Sequence, residues 1–301
     1  MTRCGYVGLI GRPNVGKSTL LNHIVGTKLA ITSRKPQTTR DNLIGVSVKG
    51  DTQMLFVDTP GIHAASDRKT GRRINRYMVE QAVTALGEVD VVVFLIEASA
   101  WVAEDDLVLE HIKRHVDGRK ASVICAINKV DRLEHKPSLL PLIDAVRKKH
   151  DFDAIVPISA LKGHGRDALV EEIASRLPEG PHLFEPDALT DKPVRYHVAE
   201  MIREKVLRQL GDEVPHRSAV TIERYVATPD LTEIDAVIYV ERNSHKAIVI
   251  GKGGSRLKSI GSEARAAIEK LVDNKVMLNL WVKVKPGWSD SDAMLISLGY
   301  R

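Results

Sequence analysis

Gly11, Gly16, Lys17 and Ser18 stand at the spacing G-x-x-x-x-G-K-[ST]. Such a set can bind phosphate. The glycines let backbone N–H groups wrap an anion, the lysine neutralises it, and the serine hydroxyl can reach Mg²⁺. The run Gly11-Arg12-Pro13-Asn14-Val15-Gly16-Lys17-Ser18-Thr19 follows an apolar stretch and opens a helical pattern, so the helix N-terminus adds its own field for anions. Alone this implies only a nucleoside triphosphate, with kinases and ATPases still open. Asp58-Thr59-Pro60-Gly61 adds an acid that can hold Mg²⁺ through water and a glycine N–H that can meet a γ-phosphate. Asn128-Lys129-Val130-Asp131 adds the base. The Asp131 carboxylate can accept from the two N–H donors of guanine, which adenine does not present, and a base lacking them leaves that carboxylate unpaired. Ser159-Ala160-Leu161 would support the base through backbone. Four sets in this order exclude ATP and imply a guanine nucleotide.

These residues need elements to hold them at one edge. Apolar runs Tyr6–Ile10, Ile44–Val48, Met54–Val57, Val89–Ile96, Ser122–Ile127 and Ala154–Ile158 read as strands, the second and third joined at Gly50-Asp51 as a hairpin. Helical patterns cover Lys17–Val25, Glu104–His115 and Asp167–Leu177. Strands alternating with helices predict an α/β domain, a mainly parallel sheet with helices on both faces, over residues 1–178. Each motif then falls at a strand end. Residues 179–193 are rich in proline and acids and read as a linker. Beyond it, helix Val194–Leu210, strands Ser218–Val226 and Ile234–Val240, helix Ser255–Leu271 and strand Val276–Val284 predict a smaller α+β domain over 194–301.

Residues 5–177 resemble the translation-factor-related class of GTPases. In that resemblance Lys35-Pro36-Gln37-Thr38-Thr39-Arg40-Asp41 corresponds to the first switch, with Thr39, or else Thr38, closing on Mg²⁺. The second switch covers Asp58, Thr59, Pro60, Gly61 and Ile62 and the segment onward to Tyr77. Ras-type proteins place a water-orienting glutamine after D-x-x-G, and here Ile62 stands there, so the chain resembles hydrophobic-substituted GTPases of slow hydrolysis. In several relatives a potassium ion assists, held partly by an asparagine at the place of Asn14. His63 reads as an exposed loop histidine rather than a general base.

In the second half, Gly251-Lys252-Gly253-Gly254 follows an apolar run and precedes a helix. A G-x-x-G loop of this kind clamps the backbone of single-stranded RNA in KH modules. Between Arg242 and Ser262 lie five basic residues, Arg242, Lys246, Lys252, Arg256 and Lys258, and no acid, which concentrates positive charge at this loop. The order of elements resembles a type II KH domain, with Gly251, Lys252, Gly253, Gly254, Arg256 and Lys258 as RNA contacts. Trp281 and Trp101 are expected in packing, with Trp288 open to base stacking, and the basic side chains of helix Val194–Leu210, namely Arg195, Arg203, Lys205 and Arg208, are expected at solvent.

The net charge of +5 is mild, and 43% hydrophobic content suits a chain that buries a core. Cys4 and Cys125 read as reduced buried thiols, which points to a cytoplasmic chain without a disulfide framework. No run reaches the roughly 18 apolar residues of a membrane span. Residues 192–301 carry no acid–base pair, nucleophile or metal spacing that would make a second catalytic centre. A GTPase domain followed by a KH domain resembles the Era family of bacterial GTPases along essentially the whole chain. The resemblance implies binding of GTP and GDP, binding near the 3′ end of small-subunit rRNA, action in assembly of the 30S subunit, peripheral association with the inner membrane face, and a monomer. Two alternatives stay open: a GTPase partner of an RNA-modifying complex, and a membrane or cell-division switch whose KH-like module binds protein.

Overall fold

The computed structural model describes residues 2–33, 35, 37–62, 72–116, 121–211, 214 and 217–300, the side chains of Arg72 and Lys136 excepted. Contacts divide these residues into two compact units. The first holds 2–30, 39–62 and 77–191, and the second holds 31–38, 72–76 and 192–300.

The first unit is a six-stranded sheet in the order β2-β3-β1-β4-β5-β6. Its strands are β1 (Arg3–Ile10), β2 (Leu43–Lys49), β3 (Thr52–Asp58), β4 (Val91–Glu97), β5 (Ser122–Asn128) and β6 (Ala154–Pro157). β2 runs antiparallel to β3 through the turn at Gly50, and every other pairing is parallel. The apolar runs of β4 and β5 are buried along almost their whole length, as strands covered on both faces must be. Helices α1 (Lys17–Val25), α2 (Arg72–Leu86), α3 (Ala103–Val116), α4 (Leu139–Arg147) and α5 (Arg166–Arg176) alternate with the strands. In α3, Glu104, Asp105 and Asp106 fill the first turn and Lys113, Arg114 and His115 the last, each sign set against the helix dipole. One large apolar cluster joins Phe94 and Ile96 of β4, Cys125 and Ile127 of β5, and Leu109 and Ile112 of α3.

The stretch expected as a linker is hydrogen-bonded along the sheet edge of the first unit. The Val46 N–H donates to Leu189 O at 2.9 Å, and the Ile44 N–H donates to the Asp191 carboxylate at 2.9 Å. Gln53 donates to Phe184 O and accepts from the Leu183 N–H, both at 2.8 Å. Strand β2 is an edge strand, so the bonds made by the Val46 and Ile44 N–H groups occupy backbone groups that would otherwise template a foreign strand.

The second unit is a three-stranded sheet, β7-β8-β9, covered by helices. Its elements are α6 (Val194–Gln209), β7 (Ser218–Ala227), β8 (Thr232–Val240), α7 (Asn243–Ile250), α8 (Ser255–Val272), β9 (Val276–Val284) and α9 (Asp292–Ser297). β7 and β8 are antiparallel, and β8 and β9 are parallel. The core joins Val198, Ile202 and Val206 of α6, Ile260, Ala264 and Ile268 of α8, and inward residues of β8 and β9.

Three expectations fail here, each for a physical reason. Val276, Leu278, Leu280, Val282 and Val284 of β9 pack on the core, so Trp281 is out of phase and stands 47% exposed. Trp288 is instead wholly buried, donates to Arg217 O at 3.3 Å and stacks on Tyr300. On α6, Arg203 and Lys205 are buried with Glu204 rather than solvated. Arg203 pairs with Glu200 and donates to Thr38 O, while the Thr32 N–H donates to Glu204 at 3.1 Å. Segment 31–38 of the same unit therefore supplies the polar partners that let these charges leave water. Trp101 packs edge-on against Phe94, in line with its expected role in packing.

Candidate functional site

The phosphate loop leaves β1 and enters α1 through Gly16, which holds φ at +108°. A methyl group there would be strained and would fall on the Asn128 side-chain nitrogen. Lys17 is 6% exposed, and its ammonium donates to Gly11 O at 3.0 Å and Arg12 O at 3.1 Å. Burial lowers its pKa to about 8, against the opposing pull of Asp58 and with a smaller push from Arg12. A buried cation hydrogen-bonded only to neutral carbonyls is poised to gain from an incoming anion. Val15 is buried, Asn14 is exposed at φ +65°, and Thr19 is half-buried in the first turn of α1.

Ser18, Thr39 and Asp58 come together although they lie on α1, the loop before β2, and the end of β3. The Ser18 hydroxyl donates to Asp58 Oδ2 at 2.6 Å and lies 3.0 Å from the Thr39 hydroxyl, which donates to the same oxygen at 3.3 Å. Asp58 Oδ1 is buried with no hydrogen-bond partner. Burial raises the Asp58 pKa to about 6, while Ser18, Lys17 and Thr39 pull it down. An orphaned carboxylate oxygen beside two hydroxyls is the donor set a hard divalent cation takes. Thr38 is turned elsewhere, donating its hydroxyl to Lys35 O at 2.7 Å. Thr59 is buried with its hydroxyl on Leu9 O, Pro60 is buried and Gly61 half-buried. Ile62 is 1% exposed within the core cluster, its N–H on Gly11 O. His63 lies outside the described residues.

Asn128 is a knot more than a base contact. Its amide donates to Val15 O at 2.6 Å, and its Oδ1 accepts from the N–H groups of Lys129 at 2.7 Å and Ala160 at 2.8 Å. One buried side chain thus fixes the phosphate loop, the N-K-x-D loop and the Ser159-Ala160 loop to one another. Asp131 is exposed and accepts from the Ser159 hydroxyl at 2.5 Å, which leaves the rest of its carboxylate for a base. Glu97 and Asp105 are acids the sequence reading passes over. Glu97 pairs with Lys129 and with Arg12, and Asp105 pairs with Arg12. The only sequence signal for Glu97 is an acid closing a wholly apolar strand.

In the second unit the run before the second glycine turn is helical, so Gly251–Gly254 joins α7 to α8. Lys252, Gly253, Arg256 and Lys258 are exposed, and nothing lies within 4 Å of a Cβ built on Gly253. Arg256 donates to Ile248 O at 2.8 Å, which ties the two helices across the turn. Beside the turn an open groove of about 590 Å³ is lined by Leu257, Lys258, Ser262 and Arg265 of α8 and Leu278 and Leu280 of β9. Its floor is apolar and its rim basic, which suits an unstacked base with its phosphate outside.

The family described as "50S ribosome-binding GTPase" matches residues 6–129, and the KH domain family matches residues 213–289. The chain is 52% identical over 299 residues to GTPase Era of Pseudomonas entomophila, covering 99% of this chain and 97% of that one. It belongs to the Era family of GTPases. Two solved Era structures superpose with a TM-score of 0.93 at 41% identity and cover 99% or more of both chains. One is Era in complex with MgGDPNP and nucleotides 1506–1542 of 16S ribosomal RNA, and the other is an Aquifex aeolicus Era variant bound to GDP and AlF4⁻. As an Era-family member, the chain is a P-loop GTPase followed by a KH domain. The buried, aliphatic Ile62 offers no hydrogen-bonding group with which to orient a water as the Ras-type glutamine does.

Proposed function

We propose that the chain is a GTP-driven switch that binds the 3′ end region of small-subunit rRNA and acts in assembly of the 30S subunit. The observation that carries this reading is the pairing, in one chain, of the Ser18–Thr39–Asp58 cluster with the basic-rimmed groove beside Gly251–Gly254. Gly11, Val15, Gly16, Lys17, Ser18 and Thr19 take the phosphates, and Asp131 with Asn128, Lys129, Ser159 and Ala160 forms the guanine site. Ser18, Thr39 and Asp58 would hold Mg²⁺, which supplies charge neutralisation at the phosphates. Asn14, exposed at the mouth of the loop, is the proposed ligand for a potassium ion that offsets the hydrophobic Ile62. Thr39 is favoured over Thr38 because its hydroxyl is the one beside Asp58. Gly251, Lys252, Gly253, Gly254, Arg256 and Lys258 contact RNA, with function dividing near residue 194. The description of the GTPase family names the large subunit, but it covers only the first half of the chain. The full-length complex with 16S RNA favours the small subunit.

The switch couples the two ligands: GTP ordering the loop at Thr39 and RNA in the groove favour each other reciprocally. Among the described residues no helix is long and apolar enough to cross a membrane, so association with the inner membrane face is proposed as peripheral, by a monomeric, cytoplasmic chain. The test is a titration with RNA ending in the small-subunit rRNA 3′ sequence, with GDP and with a non-hydrolysable GTP analogue. Wild type is compared with Lys252→Asp combined with Gly253→Asp. Tight binding that needs the analogue and is lost in the double variant is expected. Equal binding of a scrambled RNA would remove the rRNA assignment, and equal affinity with GDP would remove the coupling.

A further inference from the structure

Four charged side chains form a chain across the first unit. Asp105, wholly buried at the start of α3, accepts from Arg12 Nε at 3.2 Å and also from the Val102 N–H at 3.1 Å. Arg12, the second residue of the phosphate loop, reaches Glu97 Oε2 with Nη2 at 3.6 Å. Glu97, the last residue of β4, pairs through its other oxygen with the Lys129 ammonium of the N-K-x-D loop. Arg12, Glu97 and Lys129 are each only about one-fifth exposed, so water screens these pairs poorly.

Lys129 is also held in the left-handed region, at φ +69°, where a residue other than glycine persists only when its surroundings fix it. Three bonds hold it here. Its N–H is anchored on Asn128 Oδ1, its carbonyl accepts from the Arg132 N–H at 3.0 Å, and its side chain is anchored on Glu97. Among the described residues, Glu97 is thus the one side chain that touches both the loop that takes the base and the loop that takes the phosphates through its own charge. Asn128 joins the same loops, but through neutral amide bonds.

We infer that Glu97 is a positioning residue for nucleotide binding: it sets Lys129 for the base and locks that setting to the phosphate loop through Arg12. The inference rests on the reading of Asn128–Asp131 as the guanine loop. It is distinct from a plain electrostatic role, and the two differ in sign. A carboxylate acting only as counter-charge opposes the nucleotide, so its removal tightens binding, more for GTP than for GDP because GTP carries more charge. A positioning carboxylate supports the nucleotide, so its removal weakens GTP and GDP alike.

The experiment measures GDP and GTP affinity and GDP dissociation rate for Glu97→Gln, Lys129→Met and the double variant, with thermal melting of each. Glu97→Gln is expected to weaken both nucleotides about tenfold, mainly through faster dissociation, and to raise KM for GTP more than it lowers kcat. The double variant is expected to be no weaker than Lys129→Met alone, because the two side chains act as one unit. Unchanged affinity, tightening graded with phosphate charge, or strictly additive losses would each overturn the inference. A fall in melting temperature that accounts for the lost affinity would also overturn it, by reducing Glu97 to a stabilising residue. Asp131→Asn separates the underlying reading. If it leaves the preference for GDP over ADP intact, the guanine-loop assignment fails; if it abolishes that preference while Glu97→Gln changes nothing, only the positioning role fails.

Discussion

The two glycine turns of this chain are made of the same parts and solve opposite problems. Gly11–Ser18 and Gly251–Gly254 each join an apolar element to a helix, each places a glycine at positive φ as the helix N-cap, and each carries a lysine. In the first turn the lysine is 6% exposed and the glycine N-cap abuts Asn128, itself bonded to two further loops. In the second the lysine is exposed, and open space surrounds Gly253 and Gly254. A compact triphosphate has ends, so a closed, preorganised nest can surround it and gain from low dielectric. A polymer strand must pass through, so its turn has to stay open on one side and work with screened charge. The same local chemistry therefore yields a deep single-ligand site in one unit and a shallow track in the other.

The largest expected effect comes from filling the glycines. Gly16→Ala forces a side chain onto the Asn128 amide at φ +108° and is expected to weaken GDP binding about 100-fold or more, from roughly 1–3 kcal/mol of backbone strain plus displacement of the knot. Gly253→Ala meets no neighbouring atom, so only its φ of +59° opposes it: about 1 kcal/mol of stability should be lost, with GDP affinity within error and RNA weakened only a few-fold. Fluorescent-nucleotide and RNA titrations of the two variants check this directly. Equal tolerance at both positions would break the distinction between closed nest and open track.

That contrast was only half legible in the sequence. The motif residues sit at strand ends, where spacing alone locates them, and α1 and β9 begin and end where the apolar pattern predicts. Helices α2, α4 and α7 were not legible. The eight residues of α7, NSHKAIVI, are too short for a helical period to show, and end in a β-branched run. Burial of Arg203 and Glu204 was hidden because their partners, Thr38 and Thr32, lie more than 160 residues away in the chain. Trp281 is exposed because strand phase, not residue type, decides which side of β9 faces the core. Trp288, beyond that strand, is buried by partners, Arg217 O and Tyr300, that only the fold brings to it. Glu97 was invisible for a similar reason: its importance lies in two cations that only the fold brings to it.

The buried lysine sharpens the comparison through pH. With a pKa of about 8 in the nucleotide-free protein, Lys17 is charged below that pH and increasingly neutral above it. The phosphates favour its charged form, so the bound state has the higher pKa and binding takes up a proton above pH 8. GDP affinity should be flat from pH 6.5 to 7.5 and fall about five- to tenfold between pH 8 and 9. Lys17→Arg keeps its charge across this range and should flatten the profile, whatever it does to the absolute affinity. A wild-type profile identical to that of Lys17→Arg would remove the buried, neutralisable lysine from the account.

The smallest expected effect is at the exposed lysine. Lys252→Ala removes one phosphate contact from an open turn, so RNA affinity should fall only about three- to tenfold at moderate salt. The decisive quantity is the slope of log affinity against log salt, which should shrink by about 0.7 when one contact to single-stranded nucleic acid is lost. The loss should be nearly the same for every RNA sequence, because a phosphate contact positions the strand without reading it. The groove residue Arg265 gives the internal contrast. It stands on α8, beside apolar Leu278 and Leu280, where a base rather than a phosphate would lie. Arg265→Ala should therefore change the preference between the specific and scrambled RNA more than it changes the salt slope. Were Lys252→Ala to alter sequence preference while leaving the slope intact, the open turn would be reading bases, and the division between a track for the backbone and a groove for bases would have to be redrawn.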